Sequence, residues 1–229
     1  MTIRIVERIG STNASLLADT LVAEGDWLVA LRQDAGKGRQ GRTWEGLDGN
    51  FFGSTLIRLR EADPPPHTLA MVAGLALLEA VEGFAADAPF CLKWPNDLML
   101  DEAKLAGILL ERADDRIVAG FGVNLAVAPR IEGRKTASLD ARVSPQDFAP
   151  TLADAFARLL GAWRMAEPST LIRAWEARAH PAGTPLTVHT SESDRMAGTF
   201  EGLEPDGALR LRKADGSVEI VRTGDVFFR

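Results

Sequence analysis

A change of character at the proline-rich segment 181–185 most constrains how this chain of 229 residues can fold. Before it, apolar runs of helical length alternate with runs of strand length. After it, short alternating runs are separated by turn sequences such as Pro205-Asp206-Gly207. A tail of short strands alone predicts a small β-barrel. We therefore predict two domains, residues 1–180 and residues 181–229.

The first domain is predicted to be α+β. Its longest apolar stretch, residues 69–86, contains Glu79 and Glu82, which indicates a buried helix rather than a membrane span. A second helix should begin at Ser144, because serine is a good N-cap and Pro145 suits the first helical position. The predicted strands are 2–6, 27–31, 51–59, 90–94, 104–112 and 117–127, and the predicted helices are 12–24, 68–86, 145–164 and 168–180.

Charge and cysteine content exclude several classes of protein. The formal net charge is −6, which disfavours broad nucleic-acid binding. A single cysteine, Cys91, cannot form an internal disulfide and is typical of a reducing compartment. The first ten residues lack the apolar core of a signal peptide, and the three histidines have no metal-ligand spacing. We therefore expect a cytoplasmic protein whose partners include neither DNA nor a membrane.

A glycine-rich basic segment carries the clearest chemical signal. Its glycines let the backbone approach a ligand and expose N–H groups, and its cations suit phosphate or carboxylate oxygens. The spacing matches neither a P-loop nor a dinucleotide fingerprint, and alone the segment could equally be a solvated loop. With three like charges and no apolar anchor, it should be mobile without ligand. The residues concerned are Gly36, Lys37, Gly38, Arg39, Gly41 and Arg42.

Four further segments combine polar residues and glycines in ways that strand or helix propensity does not explain fully. Gly107 inside an apolar strand suggests that a ligand or another backbone approaches closely. Glycine and asparagine inside the strand that ends near Asn124 are similarly disfavoured. Each segment has an ordinary alternative, such as a turn or a helix cap. The segments are Gly10-Ser11-Thr12-Asn13, Lys93-Trp94-Pro95-Asn96-Asp97, Lys104-Leu105-Ala106-Gly107 and Gly120-Phe121-Gly122-Val123-Asn124.

Taken in order, the five segments resemble the catalytic domain of bacterial biotin–protein ligases. The resemblance covers residues 10–139 and continues more weakly at 198–202, 206–209 and 224–226. It implies a mixed β-sheet with helices, related to class II tRNA synthetases, and a small C-terminal SH3-like β-barrel. Only nine residues precede Gly10, so we expect the form without an N-terminal DNA-binding domain.

The resemblance implies an ATP-dependent reaction in two steps. Biotin and ATP form biotinyl-5′-AMP, and biotin then passes to one lysine of a biotin carboxyl carrier protein. Mg²⁺ should accompany ATP, with no protein side-chain cluster to bind it. The resemblance also allows a homodimer. Two alternatives stay open: a lipoate–protein ligase, and a non-catalytic sensor of biotin or its adenylate.

The resemblance also implies roles for individual residues. Lys104, Arg39 and Asp97 should be catalytic, with Asp97 positioning either a metal or the acceptor lysine. Lys37 and Gln40 stand where the family often has arginine, so we expect a weaker grip on the adenylate. The implied biotin-binding residues are Ser11, Thr12, Asn13, Gln33, Lys37, Gly38, Arg39, Lys104 and Gly107, and the implied ATP-binding residues are Arg39, Arg42, Trp44, Asn96 and Asn124.

Overall fold

A seven-stranded mixed sheet forms the centre of the computed structural model, which describes residues 1–190 and 194–228. The strand order is β1-β2-β3-β7-β6-β5-β4, and only the β1–β2 pair is parallel. Long strands stand in the middle of this order, and those over residues 51–58 and 116–123 are mostly buried. The strands are β1 (Ile3–Val6), β2 (Trp27–Ala30), β3 (Phe51–Arg58), β4 (Phe90–Lys93), β5 (Asp97–Leu100), β6 (Ala103–Ala113) and β7 (Arg116–Val123).

Helices pack on this sheet and close its core. They are α1 (Thr12–Ala18), α2 (Leu69–Glu82), α3 (Pro145–Met165) and α4 (Pro168–Glu176). Ser144 caps α3 as predicted, because its Oγ accepts the N–H of Asp147 at 3.1 Å. Phe51 of β3 and Phe148 of α3 meet edge to face at 5.1 Å between ring centroids. Among the described residues, no helix is both long and apolar enough to cross a membrane.

The C-terminal part forms a separate antiparallel sheet of five strands in the order β11-β10-β9-β8-β12. Leu186, Val188, Leu211 and Val226 give it a buried apolar side, as the alternating pattern predicts. Its strands are β8 (Pro185–His189), β9 (Arg195–Leu203), β10 (Leu209–Arg212), β11 (Val218–Val221) and β12 (Asp225–Phe228).

Polar contacts attach this second sheet to the first domain. The Trp94 indole N–H donates to the carbonyl of Gly207 at 3.0 Å, and the Glu176 carboxylate accepts the N–H of Leu203 at 2.6 Å. These contacts join the β4–β5 turn and α4 to the β9–β10 hairpin, at its turn and at the end of β9. The small sheet is therefore held against the end of the large one where β4 lies.

Several predicted element boundaries were wrong, and the helix predicted over residues 68–86 ends at Glu82. The first helix was expected to reach residue 24, but it ends at Ala18. Arg116 donates to the carbonyls of Leu16 and Asp19 at 2.7 and 2.6 Å and satisfies the end of the helix there. The last helix was expected to reach residue 180, but it ends at Glu176.

The structure also adds a strand that the sequence did not predict. No strand was predicted for β5 (Asp97–Leu100), and Asp97 belongs to the segment for which a turn was the ordinary alternative. It is stable as a strand because β4 and β6 pair with it on both sides. The neighbouring strand β7 ends at Val123, four residues earlier than predicted.

Cys91, on β4, lies against His180 with 3.4 Å between Sγ and Nδ1. Burial raises the pKa of the Cys91 thiol to about 11. Burial, with repulsion from Lys93, lowers the pKa of His180 to about 4. Both groups are therefore neutral near pH 7.

Candidate active site

One cavity of about 770 Å³ lies where the basic loop, the ends of β4 to β7 and strand β12 meet. Every residue to which the sequence analysis assigned a site role lines it. These residues come from distant parts of the chain, and the folding of the sheet brings them together. They are Ser11, Thr12, Asn13, Gln33, Lys37, Gly38, Arg39, Arg42, Trp44, Asn96, Asp97, Lys104, Gly107 and Asn124.

A buried hydrogen-bond network forms one end of the cavity at the start of α1. The Gln33 side-chain carbonyl accepts from the backbone N–H of Thr12 at 2.8 Å and from its hydroxyl at 3.1 Å. Asn13 donates to the Glu111 carboxylate at 2.8 Å. The Ser54 hydroxyl lies 2.7 Å from Thr12 Oγ1 and 2.6 Å from Asn13 Oδ1. This end therefore presents fixed donors and acceptors in an otherwise apolar setting.

The strand glycines make room for Trp44. Gly107 and Gly122 face each other across β6 and β7. A Cβ on Gly122 would lie 2.4 Å from Trp44 Cε2, and one on Gly107 would lie 3.0 Å from Trp44 Cζ3. The indole ring therefore rests directly on the backbone of two strands. This close approach explains why glycine occurs inside an apolar strand at both positions.

Lys104 lies beside this ring. Its Nζ is 2.6 Å from Asp97 Oδ1 and 5.4 Å from the centroid of the Trp44 ring. The Lys104 ammonium is about one-quarter exposed. Its backbone is fixed independently of the side chain, because it donates to Lys135 O and accepts from Ala137 N, both at 2.9 Å. A cation is thus held at the middle of the cavity by a carboxylate.

The two asparagines of the site use their amide groups to hold backbone segments. Asn96 donates to the carbonyl of Ile108 at 2.7 Å, and Asn124 donates to the carbonyl of Ala137 at 3.0 Å. Asn124 is almost completely buried. Both side chains therefore fix the walls of the cavity as well as lining it.

The basic loop is folded back on itself. Lys37 and Thr43 form a bridge, and the N–H of Gly38 donates to Arg42 O at 2.7 Å. Arg39 donates from Nη1 to Asn96 Oδ1 at 3.4 Å. Burial lowers the pKa of the Arg39 guanidinium, against the opposing effect of nearby carboxylates. The loop thus has polar anchors in addition to lacking an apolar one, and whether ligand changes its mobility stays a prediction.

Two family models match the chain. That of the biotin/lipoate A/B protein ligase family matches residues 5–127, and that of the biotin protein ligase C-terminal domain matches residues 187–229. The chain belongs to the biotin/lipoate A/B protein ligase family. The predicted membership of this family is therefore confirmed, and the small C-terminal sheet corresponds to the C-terminal domain of its biotin protein ligases.

Relatives within the family are biotin ligases. A biotin–[acetyl-CoA-carboxylase] ligase of Paracoccus denitrificans is 35% identical over 98% of this chain and 99% of its own length. A ligase of the same name from Mycobacterium tuberculosis is 33% identical, covering 97% and 87%. The bifunctional ligase/repressor BirA of Escherichia coli is 30% identical, covering 99% of this chain and 74% of BirA.

A solved structure of the same family shares the fold along the whole chain. The biotin protein ligase of Aquifex aeolicus, in complex with biotin and ATP, superimposes with a TM-score of 0.86 at 24% identity, covering 100% of this chain and 98% of that one. The likeness confirms the predicted fold class of a mixed sheet with helices and a small C-terminal β-domain.

Several residues that line the cavity were given no role in the sequence analysis. Lys93 and Arg134 lie near two aromatic rings of β12: Lys93 Nζ is 5.1 Å from the Phe228 centroid, and Arg134 Cζ is 6.0 Å from that of Phe227. Burial lowers the pKa of Lys93. Asp225, also on β12, faces the basic loop. Lys93 stood inside a recognised motif, but no local pattern indicated that the end of the chain reaches this cavity.

Proposed function

We propose that the cavity makes biotinyl-5′-AMP from biotin and ATP and then transfers biotin to a lysine of a biotin carboxyl carrier protein. The observation that carries this proposal is the continuity of three chemical environments in one cavity. A buried polar end adjoins a wall formed by Trp44, and that wall adjoins a cluster of cations around Lys104 and Arg39. A ligand with a polar head, an apolar tail and a terminal carboxylate matches this order.

The polar end suits a ureido ring, which has one carbonyl acceptor and two N–H donors. Thr12, Asn13 and Gln33 provide both kinds of partner within one hydrogen-bonded network. The sequence analysis assigned Trp44 to ATP binding. Its ring also lies against Gly107, which the sequence analysis assigned to biotin binding. We therefore propose that its ring lies at the junction of the acyl chain and the nucleotide. Biotin would contact Ser11, Thr12, Asn13, Gln33, Lys37, Gly38, Arg39, Lys104 and Gly107.

In the first step a carboxylate oxygen forms a bond to the α-phosphorus of ATP, and the bond from that phosphorus to the bridging oxygen breaks to release pyrophosphate. Two anions must approach, so fixed cations lower the barrier. Lys104 would neutralise the carboxylate side, and Arg39 the phosphate side. Of the implied ATP-binding residues, Arg39, Trp44, Asn96 and Asn124 would contact the nucleotide, and Arg42, which pairs with Asp225, would hold the loop beside it. No protein nucleophile takes part.

Carboxylates of the cavity offer little to a resident metal ion. Asp97 pairs with Lys104, Asp225 with Arg42, and Glu102 with Lys135. Within residues 1–190 and 194–228, no group of three or more histidine, cysteine, aspartate or glutamate residues could hold a metal. Mg²⁺ is often bound mainly by substrate phosphates and water. We therefore propose that Mg²⁺ would be held mainly by the ATP phosphates, where it would supply positive charge for the departing pyrophosphate.

In the second step the carrier lysine, as a neutral amine, attacks the carbonyl carbon of the mixed anhydride. A C–N bond forms, the bond from the acyl carbon to the phosphate oxygen breaks, AMP leaves, and the amine loses a proton. Lys104 would stabilise the negative charge that develops on the carbonyl oxygen. Asp97 would position Lys104, because the Asp97 carboxylate already holds the Lys104 ammonium at 2.6 Å. Asp97 would also place the incoming amine near Lys104.

Isotope exchange between ATP and pyrophosphate tests the first step, with biotin and lipoate offered separately. We expect exchange with biotin alone, followed by labelling of a biotin carboxyl carrier domain when it is added. Exchange with lipoate alone would indicate a lipoate–protein ligase. Tight binding of biotin without any exchange would indicate a sensor. Either result would contradict the proposed activity.

Gly122→Ala should raise the KM for biotin by tenfold or more. The new methyl group would overlap Trp44, so the ring must leave the strand surface, and displacing one well-packed group costs roughly this factor. Steady-state kinetics at saturating ATP measure the effect. Gly161→Ala is the matched control, because its Cβ would meet nothing within 4 Å. Equal KM values for the two variants would refute the role of Trp44.

Further expectations concern partners and domains. We propose that the chain binds neither DNA nor membranes. We also propose that its first domain spans residues 1–180 and its second residues 181–229. Finally, we propose that the chain forms homodimers. Sedimentation velocity with and without biotin and ATP tests the last point. A gel shift with the chain's own biotin-operon DNA tests the first, where a specific complex that resists salt would contradict it.

A further inference from the structure

Arg42 is engaged with the protein rather than free for a ligand. Its Nε donates to the carbonyl of Arg39 at 3.1 Å, and its Nη2 donates to Asp225 Oδ1 at 2.8 Å. Both side chains of this ion pair are partly buried, at 35% and 21% exposure. The guanidinium therefore joins the basic loop to a carboxylate that lies 183 residues further along the chain.

Gly224, the residue before Asp225, binds Arg39, the other arginine of the basic loop. Arg39 donates from Nη1 to the carbonyl of Gly224 at 3.1 Å, and this nitrogen is 3.9 Å from Asp225 Oδ1. Gly224 has a φ of +151°, and a Cβ there would lie 3.0 Å from the carbonyl of His189. The tight turn that leads into β12 thus presents one carbonyl and one carboxylate to two cations.

These contacts differ from the surface ion pairs of the same domain. Lys213 and Glu219 pair on the β10–β11 hairpin, outside the cavity, where the Glu219 side chain is 43% exposed against 21% for Asp225. Such pairs contribute little, because water and salt screen them. The Arg42–Asp225 pair lines the cavity and joins the basic loop to β12, and it restrains a loop rich in glycine. Losing it would free a segment whose conformational entropy is high.

We propose that Asp225 is a positioning residue: it holds Arg42, and with it the basic loop, in the conformation that points Arg39 into the cavity. This inference rests on the proposed function for its consequence in catalysis. Arg42 is then a structural tie and not a direct ATP ligand. The C-terminal domain takes part in the reaction by shaping the loop. Biotin binding at the α1 end of the cavity should depend on it much less.

Asp225→Asn should raise the KM for ATP roughly tenfold, the scale expected for losing one charge-assisted hydrogen bond, and change the KM for biotin by a smaller factor. Asp225→Glu should keep most activity, since the charge is retained. Glu219→Gln removes the exposed pair of the same domain and should match the unaltered protein. Equal effects of Asp225→Asn and Glu219→Gln on ATP kinetics would overturn the proposal.

A charge exchange gives a test that general destabilisation cannot imitate. Arg42→Asp and Asp225→Arg should each reduce ATP use, and the double variant should recover at least part of the loss. A double variant no better than the worse single variant would overturn the proposal.

Hydrogen exchange of the loop in the ligand-free protein gives a second readout that does not depend on activity. Amides of residues 36–44 should exchange faster in Asp225→Asn than in the unaltered chain, and slowly again in the double variant. Unchanged exchange would overturn the proposal. If the unaltered protein forms no adenylate, the proposed function fails, yet the exchange result still decides whether Asp225 holds the loop.

Discussion

Lys104→Ala is expected to reduce formation and transfer of the biotinyl group by about a hundredfold to a thousandfold, the loss typical of removing one group that stabilises charge in a transition state. The substitution removes the cation at the middle of the cavity, 2.6 Å from Asp97. It also leaves a carboxylate without its partner close to the reacting anions. Folding should be preserved, because the strand that carries Lys104 is held by backbone hydrogen bonds.

Carrier biotinylation and thermal unfolding should be measured together. Lys213→Ala serves as the control, because it removes a lysine from a surface ion pair outside the cavity. The double variant Asp97→Asn/Lys104→Ala separates two effects: if part of the loss comes from the unpaired carboxylate, the double variant is more active than Lys104→Ala alone. Near-normal biotinylation by Lys104→Ala in a folded protein would refute the role given to this residue.

Arg39→Gly is expected to release the adenylate rather than to prevent its formation. The side chain is partly buried at the cavity wall and contacts both Asn96 and the turn before β12. Its loss removes the group best placed to bridge an anionic ligand and the loop. The Arg42–Asp225 pair stays, so the loop should keep its position. The adenylate should therefore dissociate tenfold or more faster, the scale of one lost charge-assisted contact.

An escaped acyl-adenylate reacts with lysines of unrelated proteins. Incubation with biotin, ATP and serum albumin should therefore give labelled albumin with Arg39→Gly and almost none with the unaltered chain. Arg39→Lys, which keeps the charge, should give an intermediate result. Labelling of the carrier alone, at a reduced rate, would mean that Arg39 acts in formation of the adenylate and not in its retention.

Much of the site could be predicted because its parts are local. Serine before α1, the loop rich in glycine and the polar turn before β5 are each short signals whose chemistry is visible without the fold. The strand glycines also indicated close approach, although the sequence could not say that Trp44 is the group that approaches Gly107 and Gly122. That contact depends on how the loop folds across the sheet.

Features set by distant parts of the chain could not be predicted. The first helix ends early because Arg116, almost one hundred residues later, satisfies its last carbonyls. The short run at β5 is a strand because two neighbours pair with it. Asp225 and Phe228 reach the cavity only through the packing of the second sheet on the first. In each case the structure depends on residues that are far apart in sequence, and a local sequence pattern cannot show such a contact.

The neutral thiol of Cys91 makes this chain convenient for site-directed spectroscopy. A thiol with a pKa of about 11 carries only about one thiolate in ten thousand molecules at pH 7, and thiolates are the species that maleimides attack. A cysteine introduced at the exposed position 40 would have an ordinary pKa and react far faster. A dye could therefore be attached to the loop selectively without first replacing Cys91. Its emission would report loop closure in real time.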